Sequence, residues 1–248
     1  MNSRRKLLVA LSAGALAAPL ACFAQQQRSK VARIGVLEST SSSANQRELL
    51  IAGLRELGYV EGKNIVLEQR FDDDREERLP ALVADLARLR VDIIVAAATP
   101  AVKAAKQATA TIPIIIVHSA DPVALGLVAS LARPGGNVTG LSSASPDYSG
   151  KQLELLKEAV PKLSRIAILW NAANPGTAIA FREMQDAVRV LKLSVQSLEV
   201  RRSEDLAPAF KNVPKQRGMG LVTLLDPLVV SQRARIVELA SESRQKDS

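Results

Sequence analysis

Short apolar runs alternate with amphipathic stretches along most of this chain. VARIGVL (31–37) is nearly continuous in apolar residues, the pattern of a parallel strand buried on both faces. RELLIAGLRELGY follows, and helical spacing puts Leu49, Leu50, Gly53, Leu54 and Leu57 on one face, with Gly58 as the stop. NIVLEQRF (64–71) reads as a second strand. REERLPALVADLARLR (75–90) reads as a helix with Leu79, Leu82, Val83, Leu86 and Leu89 inward. DIIVAAA (92–98) is a third strand. TPAVKAAKQA (99–108) is a helix with Thr99 as its N-cap and Pro100 at its first position. IPIIIVHSA gives a fourth strand, followed by a further helix, and NVTGLS a fifth strand. The order predicts a doubly wound parallel sheet.

The pattern then restarts. DYSGKQLELLKEAVP (147–161) predicts a helix, RIAILWN (165–171) a strand, and 174–192 a helix opened by Asn174 and Pro175. LSVQSLEV is a strand, SEDLAPAFKNV a helix begun by Ser203, and MGLVTLL a strand. A last helix, DPLVVSQRARIVELASES, is capped by Asp226. Two Rossmann-like α/β lobes with parallel sheets are the economical reading, the first at 31–140 and the second at 141–248.

The first residues break this pattern. Arg4, Arg5 and Lys6 precede the apolar LLVALSAGALAAPLA, and Ala24 offers a cleavage point. Residues 1–24 therefore read as a signal peptide that exports the chain to the periplasm. SRRKLL also resembles a twin-arginine signal, and PLAC offers Cys22 for lipid attachment, although Pro19 sits where such a site prefers Leu. Removing the leader deletes three basic residues and lowers the net charge from +8 to +5. It also removes the single cysteine, leaving no disulfide and no thiolate nucleophile. The remaining positive charge is interspersed with acids and only 3% of the chain is aromatic, so no nucleic-acid footprint emerges.

In open α/β sheets, ligands bind beyond the carboxyl ends of the strands. Those ends carry Ser39 and Thr40, Thr99 and Pro100, Ser119 and Asp121 in the first lobe, then Asn171, Asn174 and Asp226 in the second. Hydroxyls and helix N-termini suit an anionic group, and Asp121 or Asp226 suits an ammonium. An amino acid has both. Each residue is equally an ordinary helix cap; the argument is that candidates from both lobes share one edge. Enzyme chemistry finds little: His118 is the only histidine, and HExxH, CxxC, GxSxG, GxGxxG and GxxxxGK[ST] are absent. No metal site or cofactor is expected.

RELLIAGLRELGYVEGKNI, LPALVADLARLRVDIIVAAATPA, SADPVALGLVASLARPGGNVTGLS, LELLKEAVPKLSRIAILWNAANPG and the LLDP turn resemble the ABC-transporter substrate-binding proteins of the tryptophan/tyrosine-type uptake group. The resemblance spans roughly residues 31–243. It implies a type I periplasmic-binding-protein fold, two lobes closing on a small ligand, and delivery by a monomer to an inner-membrane permease. It places a ligand carboxylate near Thr99 and Ser119, and an ammonium facing Asp121 or Asp226. Tyr148 and Trp170 are the aromatic residues available for stacking. RPGGNVTG is compatible with an anion cradle at Arg133 and the glycines. Its place between the lobes assigns Gly135, Gly136, Asn137, Val138, Thr139 and Gly140 to the hinge instead. Relatives continue past SESRQKDS, so the second lobe reads as truncated. A sensory protein presenting its closed form to a membrane receptor, and a fragment that binds nothing, are the alternatives.

Overall fold

The computed structural model describes residues 31–38, 43–73, 75–143, 146–213 and 218–245. The leader with Ala24 and Cys22 lies outside them, as do Ser39, Thr40 and the side chain of Tyr148. The first sheet contains β1 (Ala32–Glu38), β2 (Ile65–Phe71), β3 (Ile93–Ala97), β4 (Ile114–His118) and β5 (Val138–Gly140). Their order is β2-β1-β3-β4-β5, every pair parallel. The second sheet contains β6 (Arg165–Asn171), β7 (Ser194–Val200) and β8 (Met219–Thr223), in the order β7-β6-β8 and again parallel. Starting each sheet on a middle strand and winding outwards both ways brings two adjacent carboxyl ends to a common edge.

Helices cover both faces of both sheets. The first lobe carries α1 (Ser43–Glu56), α2 (Leu79–Arg88) and α3 (Thr99–Ala108). Leu50 and Leu54 of α1 pack on Ile34, Val36 and Ile65, on one face of the sheet. Leu79, Val83 and Leu86 of α2, with Val102 and Ala105 of α3, pack on Leu37, Ile94 and Ile116 on the other. The second lobe carries α4 (Pro146–Ala159), α5 (Pro175–Val190), α6 (Leu206–Lys211), α7 (Pro227–Ser231) and α8 (Arg233–Gln245). Leu153 of α4 and Phe181, Met184 and Val188 of α5 cover one face of its sheet. Leu206, Phe210, Leu228 and Ile236 cover the other. Aliphatic side chains dominate all four layers, and truncating one such buried leucine to alanine typically costs about 2–5 kcal/mol. No helix among the described residues is long and apolar enough to cross a membrane.

Four local expectations change. Leu49 on α1 and Leu57 just past its end are exposed, because only the Leu50–Leu54 ridge reaches the sheet. The expected helix after β4 is replaced by successive turns, with Leu125 N donating to Asp121 O and Gly126 N to Val123 O. Pro122 supplies no N–H there and Gly126 takes φ +65°, so a helix does not propagate. The last helix is two, α7 and α8, parted at Gln232. Residues 76–78 form a 3-10 turn ahead of α2.

The RPGGNVTG stretch leads into the edge strand β5. Gly135 takes φ +75° and Asn137 donates from Nδ2 to the carbonyls of Thr109 and Ile112, pinning the turn to the end of α3. Gly140 takes φ +135°, and a Cβ there would lie 2.2 Å from the carbonyl oxygen of Ile116. Only glycine lets β5 lie this close to β4 as the chain leaves the first lobe.

Candidate ligand-binding site

The carboxyl ends of β3, β4 and β8 and the start of α5 surround a cavity of about 570 Å³. Thr99, Ser119 and Asp121 line it from the first lobe; Asn174, Glu183 and Asp226 line it from the second. Ile179, Ala180, Met184, Leu224 and Leu225 provide an apolar wall. A few polar groups converging on an apolar wall is the usual make-up of a small-molecule site. A second hollow of about 950 Å³ lies beside it, with Pro100, Asn171, Glu76 and Arg201 on its walls. Asp226 borders both.

Thr99 and Ser119 are 3% and 1% exposed, and their hydroxyl oxygens are 3.1 Å apart. Thr99 is not the N-cap of α3. Ala98 is, and the Thr99 hydroxyl turns to the end of β4, where it accepts from the Ala120 N–H at 3.3 Å. The pair owns two O–H protons and shares one hydrogen bond. Among the described residues the second O–H has no acceptor, and both residues line the cavity. A buried donor without a partner is costly, so this position suits an oxygen supplied from outside the chain. Ala98 itself takes φ 69°, ψ 154°, a region that disfavours a residue with a Cβ by about 1–3 kcal/mol. Its N–H is held by the carbonyl of His118.

Asp121 follows β4. Its Oδ1 accepts from the N–H groups of Val123 and Ala124, at 2.9 and 3.0 Å, and fixes the first turn after the strand. His118, the last residue of β4, lines the cavity, and burial lowers its pKa, which favours the neutral ring.

Asp226 organises the second lobe's side. Oδ1 accepts from the Leu228 N–H and from Asn171 Nδ2, at 2.9 and 3.1 Å; Oδ2 accepts from Asn174 Nδ2 at 2.8 Å. Asn174 caps α5 by accepting from the Gly176 N–H at 2.8 Å. Asp226 is 2% exposed. Burial raises its pKa, against the hydrogen bonds from Asn174, Asn171 and the backbone that favour the carboxylate. Both its oxygens are engaged, so it holds two helix starts together.

Gly176 meets the first lobe directly. A Cβ on it would lie 2.6 Å from Thr99 Oγ1 and 2.9 Å from the Ala120 Cβ. Strand-end reasoning did not find this glycine, nor Glu76 and Glu183. Glu183 reaches the cavity from inside α5 through the helical spacing Ile179, Ala180, Glu183, Met184. Trp170 is not on the cavity wall. It stacks on Phe181 with ring centroids 4.5 Å apart and donates to Ser197.

A family model for ABC transporter substrate binding proteins matches residues 30–245. A tyrosine-binding protein of Clostridioides difficile (strain R20291) is 30% identical over 200 residues, which is 78% of this chain and 55% of that protein. The chain thus spans about half the length of this curated relative. A conserved domain protein from Vibrio cholerae superposes with a TM-score of 0.80 at 26% identity, over 86% of this chain and 72% of its own. An ABC domain from Streptococcus pneumonia, solved in complex with L-Trp, gives 0.76 at 24% identity, over 86% and 71%. The latter likeness is one of fold.

Proposed function

The chain belongs to the ABC transporter substrate-binding proteins, and from that premise we propose that it captures a small amino-acid-like molecule between its lobes and delivers it to an importer. The observation that carries this reading is the buried Thr99–Ser119 pair, with one O–H that has no acceptor among the described residues. The ligand's carboxylate accepts a hydrogen bond from that O–H, and its ammonium faces Asp121. Asn174 and Asp226 shape the opposite wall, and Asn171 acts through Asp226. Tyrosine and L-Trp in the names of the relatives favour amino acids as the first class to try.

On this reading residues 1–24 direct export, the partner is an inner-membrane permease, and the working form is a monomer. Residues 135–140 form the crossing at which the lobes move, since few positions absorb a hinge rotation. The test is thermal unfolding of the full chain against a panel of amino acids and small organic acids. A true ligand at a hundredfold excess over Kd stabilises by about 2.7 kcal/mol. No shift with any compound would overturn the reading.

A further inference from the structure

Three charged side chains described on the cavity wall are Asp121, Glu183 and Asp226, and the described wall holds no lysine or arginine; Asp226 alone also borders the second hollow, which carries Arg75, Arg201 and Arg202. Their availability differs. Asp226 spends both oxygens on Asn171, Asn174 and the Leu228 N–H. Asp121 spends Oδ1 on its own turn, leaving Oδ2 to answer a ligand ammonium. Glu183 makes no hydrogen bond or ion pair among the described residues. It faces the cavity from the second lobe while Asp121 faces it from the first.

A neutral zwitterion uses one carboxylate for its single ammonium. It brings a carboxylate of its own into a cavity whose described wall carries three acids and no lysine or arginine. Glu183 would then remain a half-exposed carboxylate on the cavity wall, beside Ile179, Ala180 and Met184, with no ligand cation to answer it. The buried O–H of the Thr99–Ser119 pair independently calls for a ligand oxygen at the other end of the site.

Resting on the proposed function above, we propose that the natural ligand is a cationic amino acid or closely similar amine, with an oxygen acceptor at Thr99–Ser119, one N–H cation at Asp121 and excess positive charge answered by Glu183. An ammonium or guanidinium offers donors to a carboxylate as well as charge, and its arrival removes the like-charge opposition between Asp121 and Glu183. The proximity of those two charges is also felt in the ligand-free protein. Burial first, then the Asp121 charge, raises the Glu183 pKa.

The test is calorimetric titration of the full chain with lysine, ornithine, arginine and putrescine, beside tyrosine, tryptophan and 3,4-dihydroxybenzoate. At least one cation is expected to bind ten or more times more tightly than either aromatic amino acid. Glu183→Gln is expected to weaken that cation at least tenfold. Its ligand-free unfolding temperature should hold or rise, because the substitution breaks no hydrogen bond or ion pair among the described residues and removes a charge opposed by Asp121. Lysine and arginine without putrescine would place the acceptor end as essential; putrescine alone binding would overturn the two-ended ligand. Tyrosine or tryptophan binding in preference to every cation would overturn the proposal and leave the binding function standing. An affinity unchanged in Glu183→Gln would also overturn it. No binding by any compound would overturn the function itself.

Discussion

Asn171 of the second lobe donates from Nδ2 to Glu76 Oε1 of the first, across 3.4 Å. The same amide donates to Asp226 at 3.1 Å. One side chain thus ties a carboxyl from each lobe into a shared network. Its weakest member at neutral pH is Glu76, whose pKa is raised to about 7. Burial is the main cause, followed by the charges of Asp226 and Asp72, with Asn171 working in the opposite direction.

That shift has a sign in stability. A carboxyl with a higher pKa folded than unfolded binds its proton more tightly when folded. Its contribution is fully present below its ordinary 4.5 and is lost as pH rises towards about 7. Asp72, Glu77, Asp226, Arg75, Arg201 and Arg202 border the same hollow, and among them the acids set the direction. Glu76→Gln keeps an oxygen for Asn171 and removes the titration. Its unfolding free energy is expected to exceed the native one at pH 8, by on the order of 1 kcal/mol after allowance for partial exposure, with a higher unfolding temperature, and to match it near pH 4.5. Thermal melts at the two pH values decide; an equal difference at both would contradict the assignment.

Asp226→Ala removes a helix cap and leaves the amides of Asn171 and Asn174 without their shared acceptor. A lost cap costs about 1 kcal/mol, and a stranded buried amide about 1–3 kcal/mol. Denaturant unfolding is expected to show a loss of about 3 kcal/mol. A loss under 1 kcal/mol would mean that the network is not holding the starts of α5 and α7.

Gly176→Ala addresses the contact between lobes. Its added methyl would collide with Thr99 Oγ1 and the Ala120 Cβ, both in the other lobe. Each lobe keeps its own core, so far-ultraviolet circular dichroism should be unchanged. The lobes cannot approach as closely, and ligand affinity is expected to fall tenfold or more. Native affinity in this variant would show that closure does not need that approach.

Ala98→Gly probes the backbone that presents Thr99. Glycine adopts φ 69°, ψ 154° without the Cβ penalty, which offsets its greater unfolded-state entropy. The unfolding free energy is expected to hold or rise, by up to about 1 kcal/mol. Ala98→Val, with a branched Cβ at positive φ, is expected to fall by about 2 kcal/mol or more. A fall with glycine comparable to that with valine would contradict the strain.

Parallel strands were legible because burial on both faces leaves continuous apolar runs such as RIAILWN, observed as β6 at the expected residues. Asn174 and Asp226 were legible as caps, since a polar residue before proline marks a helix start. Segments whose apolar spacing fits both helix and turn were not. ADPVALGLVASL has helical spacing, but Pro122 and Gly126 break it into turns. Glu76 and Glu183 escaped because they sit on a 3-10 turn and within a helix, not at strand ends. The meeting of the lobes sets Glu76 near Asp226 in one hollow and Glu183 near Asp121 in the other.

The most direct test of the cavity as a binding site is calorimetric titration of the full chain with whichever panel compound raises its unfolding temperature, repeated on Thr99→Val and Ser119→Ala. Saturable one-to-one binding is expected in the native chain, weakened tenfold or more in both variants, since each alters the hydroxyl pair whose second O–H has no acceptor among the described residues. Binding of equal strength in all three proteins, or no binding by the native chain, would contradict the account.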